Sequence, residues 1–108
     1  MPADPDLIRA ARALLGMSQA KLAEKAGIAP KTLWKIEAGD LSISVENYRA
    51  VTRALENFGI MFLAEGQGDG AGIRRTPQLQ AESSRAWEEV RVAEAERKRV
   101  AKEQRKTE

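Results

Sequence analysis

Residues 17–39, MSQAKLAEKAGIAPKTLWKIEAG, contain the pattern that decides the fold of this chain. Ser18 is a favourable N-cap for a first helix, because its hydroxyl can accept a hydrogen bond from a free backbone N–H. Gly27 stands where a helix ends in a left-handed residue. Pro30 suits the first position of a second helix, where a missing N–H costs nothing. The stretch therefore predicts two short helices joined by a tight turn.

The apolar residues of this stretch recur at helical spacing. Leu22, Ala23 and Ala26 form the inner face of the first helix, and Leu33 and Ile36 form that of the second. Two helices that cross around a short turn containing glycine form a helix-turn-helix motif. The second helix of such a motif normally enters the major groove of DNA.

The sequence on either side of the motif predicts one further helix before it and one after it. The first should run from Pro5 to Leu15, with Asp4 as N-cap and Gly16 as its end. The fourth should run from Val45 to about Asn57, after Ser44 as N-cap. Further core residues are expected in the loop before the fourth helix and along it: Leu41, Ile43, Tyr48, Val51, Leu55 and Phe58.

In this register the motif resembles the lambda-repressor-like helix-turn-helix of the XRE/Cro family of bacterial and phage regulators. The resemblance extends from about Leu7 to about Leu55, roughly half of the chain. The matching elements are Ser18-Gln19, Leu22-Ala23, Ala26-Gly27-Ile28 and the Ile36-Glu37-x-Gly39 ending. The resemblance implies a mainly α fold with a four-helix domain that binds double-stranded DNA in the major groove.

The resemblance also implies which residues contact DNA. Gln19 opens the second helix, where relatives use a glutamine to bond a phosphate and to brace the recognition helix. The positions of the third helix that reach base edges, with their neighbours, correspond here to Ala29, Pro30, Lys31, Thr32 and Lys35. Phosphate contacts are implied for Ser42 and Asn47, with Ser44 and Arg49 as weaker candidates. The alternative for Gln19 and the two lysines is ordinary exposure to solvent, and that for Ser44 is its role as a helix cap.

Trp34 and Glu37 need separate interpretations. Trp34 stands where the family commonly has a small or polar residue, so we expect its indole to be partly exposed. It could donate its N–H to a phosphate or pack against the following loop, and the sequence leaves both open.

Glu37 is interpreted as a structural acid, because the family often bonds this residue to a basic side chain of the first helix. Arg12 is the expected partner.

The pattern changes after Gly59. Ile60 to Leu63 predicts a short strand, the segment GQGDGAG at 66–72 predicts a flexible loop, and Ile73 to Arg75 predicts a second strand. An isolated hairpin is only marginally stable in water, so this one should pack on the helices or pair with another chain. We expect three regions: a helix-turn-helix domain at 1–58, a hairpin for dimerisation or packing at 59–76, and a charged tail at 77–108.

Residues 78–108 are about half charged and rich in Ala, Glu, Arg and Lys. Leu79, Ala86, Ala93 and Val100 recur every seven residues, but Ser83 and Arg97 occupy the other positions of a coiled-coil seam. Two interpretations stay open. The tail is either a solvated helix that frays towards its end, or a helix that pairs with a partner or a second copy.

Composition limits the chemistry. The 108 residues contain no cysteine and no histidine, which argues against thiol or histidine catalysis and against the commonest metal ligands. We expect no enzyme activity and no cofactor. The first residues carry acids and no apolar core, so we expect a cytoplasmic protein without a signal peptide or membrane segment. The net charge of only +2 means that DNA binding must depend on where the cations lie.

The leading hypothesis is a sequence-specific transcriptional regulator that binds an inverted repeat as a homodimer and represses its own promoter. The dimer surface could be the fourth helix, the hairpin or the tail. The hairpin is favoured, since Ile60, Met61, Phe62 and Ile73 would otherwise have too little to cover them. The alternative is an antitoxin or another protein-interaction module on the same fold, whose tail wraps around a toxin or other partner protein.

Overall fold

The computed structural model describes residues 4–107, which form two compact units divided between Thr76 and Pro77. The described part of the first unit contains four helices and one hairpin, and that of the second is a single helix. The elements are α1 (Pro5–Leu15), α2 (Gln19–Ala26), α3 (Pro30–Glu37), α4 (Val45–Asn57), β1 (Ile60–Leu63), β2 (Gly72–Arg75) and α5 (Pro77–Thr107). The predicted mainly α fold, with four helices followed by a hairpin and a charged helix, is confirmed.

The helix starts follow the local signals in the sequence. Ser18 Oγ accepts a hydrogen bond of 3.1 Å from the backbone N–H of Lys21, and Ser44 Oγ accepts one of 3.2 Å from that of Asn47. Each bond satisfies an N–H that the helix itself cannot pair. Asp4 occupies the N-cap position of α1, but its side chain makes no capping hydrogen bond.

The core of the first unit is drawn from all four helices and from β1. Its members have little or no exposed surface: Ile8, Ala11, Leu22, Ala23, Leu33, Ile36, Tyr48, Val51, Ala54, Leu55 and Ile60. Burying one large aliphatic side chain contributes about 1.5–3 kcal/mol. Because Leu33 and Ile36 belong to this core, the inner face of α3 is fixed and its other face is left towards solvent.

Two expected core residues are exposed, and a third, Ile43, is only half-buried. Leu41 is 95% exposed, because the chain makes a turn at Asp40 and Ser42 that directs this side chain outward. Phe58 is 38% exposed at the C-cap of α4, and Ile60 fills the core at the start of the hairpin instead. Both predictions were wrong, because apolar character alone does not show where the chain turns.

The hairpin packs on the helices of its own unit. Its strands are antiparallel, with Ile60 opposite Arg75 and Phe62 opposite Ile73. Strand β1 contacts α4, and β2 contacts α1. Ile60 is therefore covered within the chain, and the prediction that it needs a second chain to cover it was wrong. Alternation along β1 leaves Met61 exposed on the other face.

Helix α5 is 31 residues long, and none of its side chains at 77–106 is buried. Trp87 and Val90 are both more than half exposed. Surface ion pairs run along the helix, as between Glu94 and Arg97 and between Glu96 and Arg99. None of the helices in the described residues combines the length and the apolar character that crossing a membrane requires.

Candidate nucleic-acid interface

The turn between α2 and α3 is made of residues 27–29. Gly27 has a φ of 71°, in the left-handed region that other residues enter at a cost of about 1–2 kcal/mol. The backbone N–H of Ile28 donates to the carbonyl of Ala23 at 3.0 Å, which closes the end of α2. The chain can then start α3 at Pro30, so the two helices are separated by only three residues.

The outer face of α3 carries two lysines and a tryptophan. Lys31, Trp34 and Lys35 lie within an arc of about 100° around the helix axis, opposite the buried Leu33 and Ile36. Lys31 is exposed and Lys35 is half-buried. Trp34 is 60% exposed, as the sequence predicted. This face therefore offers two cations and a large flat indole to whatever lies against α3.

A buried carboxylate at the end of α3 fixes the position of that helix. Glu37 is only 3% exposed, yet both of its carboxylate oxygens have partners. Oε1 accepts a hydrogen bond of 3.1 Å from Arg12 Nε on α1 and lies 3.0 Å from Arg12 Nη2. Oε2 accepts a hydrogen bond of 2.9 Å from Gln19 Nε2 on α2. The predicted structural pairing of Glu37 with Arg12 is confirmed.

Two backbone carbonyls extend this network. Arg9 Nη1 donates to the carbonyl oxygen of Glu37, and Arg12 Nη1 donates to that of Met17 at 3.1 Å. The contact of Arg9 is not among the interactions that the sequence predicted. The signal that could have found it is the spacing of Arg9 and Arg12, which puts both on neighbouring turns of one face.

Gln19 has a structural role that the resemblance implied. Its amide nitrogen donates to Glu37, so the side chain of the first residue of α2 braces the last residue of α3. An amide nitrogen carries two hydrogens, so a second one remains for another acceptor. The brace is present, and the phosphate bond of Gln19 stays a prediction.

The loop between α3 and α4 is organised by Asp40. Its Oδ1 accepts hydrogen bonds from the Ser42 hydroxyl at 2.6 Å and from the Ser42 backbone N–H at 2.8 Å. These two bonds, together with the nearby charge of Lys35, hold the pKa of Asp40 below its usual value, against a smaller opposite effect of burial. The carbonyl of Asp40 accepts a hydrogen bond of 3.3 Å from the Tyr48 hydroxyl.

This arrangement matters for Ser42, which the resemblance implied as a phosphate ligand. Both donors of Ser42 point to a carboxylate in the structure. A phosphate contact by its hydroxyl would require the proton to turn away from Asp40. The side-chain amide of Asn47, half-buried in the first turn of α4, is the better placed donor because it makes no hydrogen bond with a described residue.

The remaining implied residues lie at the start of α3. Ala29 is the N-cap and Pro30 the first residue of the helix, and both are exposed. Neither side chain can donate a hydrogen bond. Thr32 is half-buried beside them. The residues that the family resemblance assigned to base contacts thus all lie on α3 or at its N-cap. Apart from its lysines, this helix has few side chains that can donate a hydrogen bond.

A family model described as helix-turn-helix matches residues 8–57. The match spans nearly all of the four helices and leaves the hairpin and α5 outside it. No curated protein matches the chain. The matched family is one of DNA-binding regulators and not of enzymes. Residues 8–57 therefore form a helix-turn-helix domain of the lambda-repressor-like (XRE/Cro) family, and this domain supports a DNA-binding transcriptional regulator.

Proposed function

We propose that this regulator is a sequence-specific repressor that binds an inverted repeat as a homodimer and controls its own promoter. The observation that carries the proposal is the outer face of α3, with Lys31, Trp34 and Lys35 exposed or half-exposed beside a helix end fixed by Glu37. A recognition helix must be held rigidly to place side chains against base edges, and the buried network supplies that rigidity.

Direct base reading is assigned to the lysines. Lys31 can donate to guanine O6 and N7, the commonest specific contact in the major groove. Lys35 lies one turn further along the same face and can reach a base or a phosphate. The exposure of Trp34 favours the sugar–phosphate backbone as its partner, with the indole N–H donating to a phosphate, over packing against the loop.

Ala29, Pro30 and Thr32 add little hydrogen bonding. Ala29 and Pro30 can make only apolar contacts, for which a thymine methyl group is the natural partner in the groove. The hydroxyl of Thr32 can bond a phosphate or touch such a methyl. Because donors are few, we propose that the shape and deformability of the operator contribute more than usual to specificity.

Phosphate contacts would set the position of the domain on DNA. Gln19 contributes its second amide hydrogen at the start of α2, where free backbone N–H groups also favour an anion. Asn47 contributes its amide from the start of α4. Ser42 contributes only if its hydroxyl leaves Asp40. These contacts fix register and orientation and carry no sequence information.

A dimer is proposed because one module of this size buries little DNA. Two modules would read half-sites about 34–36 Å apart, one turn of the double helix. The hairpin remains our proposed dimer surface, now reduced to Met61 and Leu63, which lie exposed on the face turned away from α4 and α1. Replacing Leu63 by Lys should give a monomer with weakened operator binding, measurable by analytical ultracentrifugation and by the operator titration below.

The alternative function is an antitoxin or other protein-interaction module. One observation favours it: Trp87 and Val90 are apolar side chains left more than half exposed on α5. A partner protein that covers this part of α5 would protect its backbone amides from hydrogen exchange. DNA alone would leave the exchange around these two residues unchanged if the regulator needs no such partner.

The test is a fluorescence anisotropy titration of the DNA just upstream of the gene, at about 0.15 M ionic strength and with excess random competitor DNA. The proposal predicts saturable binding at two protomers per site that survives the competitor. Binding that the competitor abolishes would leave only phosphate-driven association and would contradict the proposal.

A further inference from the structure

Helix α5 changes charge along its length. Residues 77–96 carry two basic and five acidic side chains, a net charge of −3, whereas residues 97–107 carry six basic and one acidic, a net charge of +5. The helix-turn-helix match ends before α5, so the family match does not explain this change. The strongest local charge on the second unit therefore lies at the C-terminal end of its helix.

Most arginines of α5 have an acidic partner on the same helix. Arg91, Arg97 and Arg99 each form an ion pair with the glutamate three residues before them. Five other cations of α5 form no ion pair with any described residue. One of them, Arg85, lies in the acidic part of the helix. The other four are Lys98, Lys102, Arg105 and Lys106, and we call them the cationic ridge. All four side chains are exposed.

The arrangement around Lys102 works against helix formation. Its four neighbours one turn before and one turn after, at positions 98, 99, 105 and 106, are all basic. Like charges at this spacing destabilise a helix by a few tenths of a kcal/mol per pair. The negative C-terminal end of the helix favours Arg105 and Lys106, which lie in its last turn. That effect does not reach Lys98 and Lys102, so helix stability does not account for them.

The geometry of the cationic ridge fits a linear array of anions. Its four residues lie within an arc of about 100° around the helix axis and extend over about 12 Å. Each strand of a DNA duplex presents about three to four phosphates over that length. Lysine, which supplies three of the four cations, interacts as a hydrated point charge and suits a contact without base recognition.

A membrane surface fits this segment less well. Among residues 97–107 only Val100 and Ala101 are apolar. A helix that lies in a lipid interface needs a broad apolar face opposite its cations, and two small side chains do not provide one.

We propose that the cationic ridge binds the phosphate backbone of DNA as a second, sequence-independent contact of this protein. The inference rests on the proposed function, since it adds to a DNA complex that the helix-turn-helix domain forms. The ridge raises the affinity for operator and for random DNA by the same factor. It therefore increases the time that the protein spends on DNA and leaves the ratio of specific to non-specific binding unchanged.

The test compares two full-length variants that each lose four positive charges. The ridge variant carries Lys98→Gln, Lys102→Gln, Arg105→Gln and Lys106→Gln. The matched control carries Arg85→Gln, Arg91→Gln, Arg97→Gln and Arg99→Gln. Both have the same net charge, so general electrostatic attraction to DNA is equal in the two. Anisotropy titrations with a labelled operator and a labelled random duplex, from about 0.05 to 0.2 M salt, give the slope of log affinity against log salt.

The ridge variant should bind both duplexes more weakly, and its salt slope should be smaller in magnitude by about 2 to 4, since each phosphate contact contributes about 0.9. The control should keep most of the wild-type slope. Circular dichroism should show that the ridge variant keeps about the helicity of the wild type, because the like-charge repulsion that it loses offsets the lost interaction of Arg105 and Lys106 with the helix C-terminus. A merely structural role for the four cations would instead lower its helicity.

An unchanged slope in the ridge variant, or an equal loss in the control, would overturn the proposal. The proposal would also be overturned if the ridge variant lost binding to poly-L-glutamate but kept its binding to DNA. The cationic ridge would then be assigned to an acidic protein surface. The proposed function is judged separately, from the ratio of operator to random binding by the wild type. That ratio should stay the same in the ridge variant.

Discussion

The helices of the first unit and helix α5 are stabilised by different interactions. In the first unit every helix contributes to one buried core, and the charged residue Glu37 is buried with its partners. In α5 the apolar side chains are exposed and the ordered contacts are ion pairs in solvent, such as Glu88 with Arg91. Burial makes the first unit cooperative, whereas exposed ion pairs are worth little and weaken with salt.

The difference also separates two ways of presenting positive charge. On α3 the cations lie on a helix whose orientation is fixed by a core and a network, which suits reading bases. On α5 they lie on a solvated helix, which suits an electrostatic contact that needs no register. Substitutions in the two units should therefore differ in their effects on stability and on DNA binding.

Replacing Arg12 by Ala should destabilise the first unit by about 3 kcal/mol, because it leaves the buried carboxylate of Glu37 without its cation. This loss of stability is at the lower end of the range for breaking a buried ion pair, because Gln19 still donates a hydrogen bond to Glu37. Urea unfolding followed by Trp34 fluorescence, with Trp87 replaced by Phe in both wild type and variant, measures the loss. Removing both charges, with Arg12→Met and Glu37→Met, should recover part of it. A loss below about 0.5 kcal/mol, the size of an ordinary surface substitution, would contradict a structural role for the network.

The same truncation in the two units should have unequal effects. Val51 is fully buried and Val90 is 54% exposed. Val51→Ala should cost roughly 2 kcal/mol, from two lost methyl groups and the cavity they leave. Val90→Ala should change stability by less than about 0.5 kcal/mol. Urea unfolding of each variant gives the two values, and similar losses would mean that α5 is buried against something in the free protein.

Replacing Lys31 by Ala should leave stability unchanged and weaken operator binding by about 1–3 kcal/mol, with relaxed preference at one base pair. Lys25→Ala is the matched control, because Lys25 is an exposed lysine of α2 that has no proposed DNA contact. Anisotropy titrations against operator and random DNA measure both. Equal effects of the two substitutions would show that Lys31 contributes only general charge.

Removing one ion pair of α5 should have a small effect that salt abolishes. Arg99 pairs with both Glu96 and Glu103. Glu96→Gln should lower the stability of the helix by a few tenths of a kcal/mol at low salt and by less at about 1 M salt. Thermal melting followed by ellipticity at both salt concentrations measures this. An effect that does not depend on salt would contradict an electrostatic origin.

The smallest effect concerns the loop before α4. The pKa of Asp40 is lowered from 3.8 by its hydrogen bonds to Ser42, so its carboxylate favours the folded loop. The hydrogen bonds between Asp40 and Ser42 should hold the loop fully above pH 3.8. This stabilisation of the loop should be lost as the pH falls through the lowered pKa of Asp40. The NMR shift of the Ser42 amide proton follows this titration. In Asp40→Asn the same proton should show no such transition, and a transition that persists there would assign it to another group.

The sequence predicted the elements that local chemistry determines. Ser18, Ser44 and Pro30 mark helix starts because capping and a fixed φ act within one turn of the chain. Leu41 and Ile60 were misjudged because their burial depends on where a turn or a strand leads the chain. Apolar character alone does not contain that information.

Some features of the candidate DNA-binding site were likewise predictable from the sequence, and others depend on how the helices pack. The four-residue spacing of Lys31 and Lys35 in the sequence predicted that both lie on one face of α3. The pairing of Glu37 with Arg12 followed from the family pattern.

The contact of Arg9 with the carbonyl of Glu37 joins residues 28 positions apart. The spacing of Arg9 and Arg12 puts both on one face of α1, but only the packed helices identify the acceptor. The engagement of Ser42 by Asp40 is local, and the Asp-x-Ser spacing could have shown it.

We propose that the outer face of α3, braced by Glu37, reads the operator. The most direct test is to titrate wild type and Lys31→Ala against operators in which each base pair is substituted in turn. We predict one base pair in each half-site at which substitution weakens the wild type by about tenfold or more, and to which Lys31→Ala is indifferent. Identical substitution profiles for the two proteins would contradict the claim.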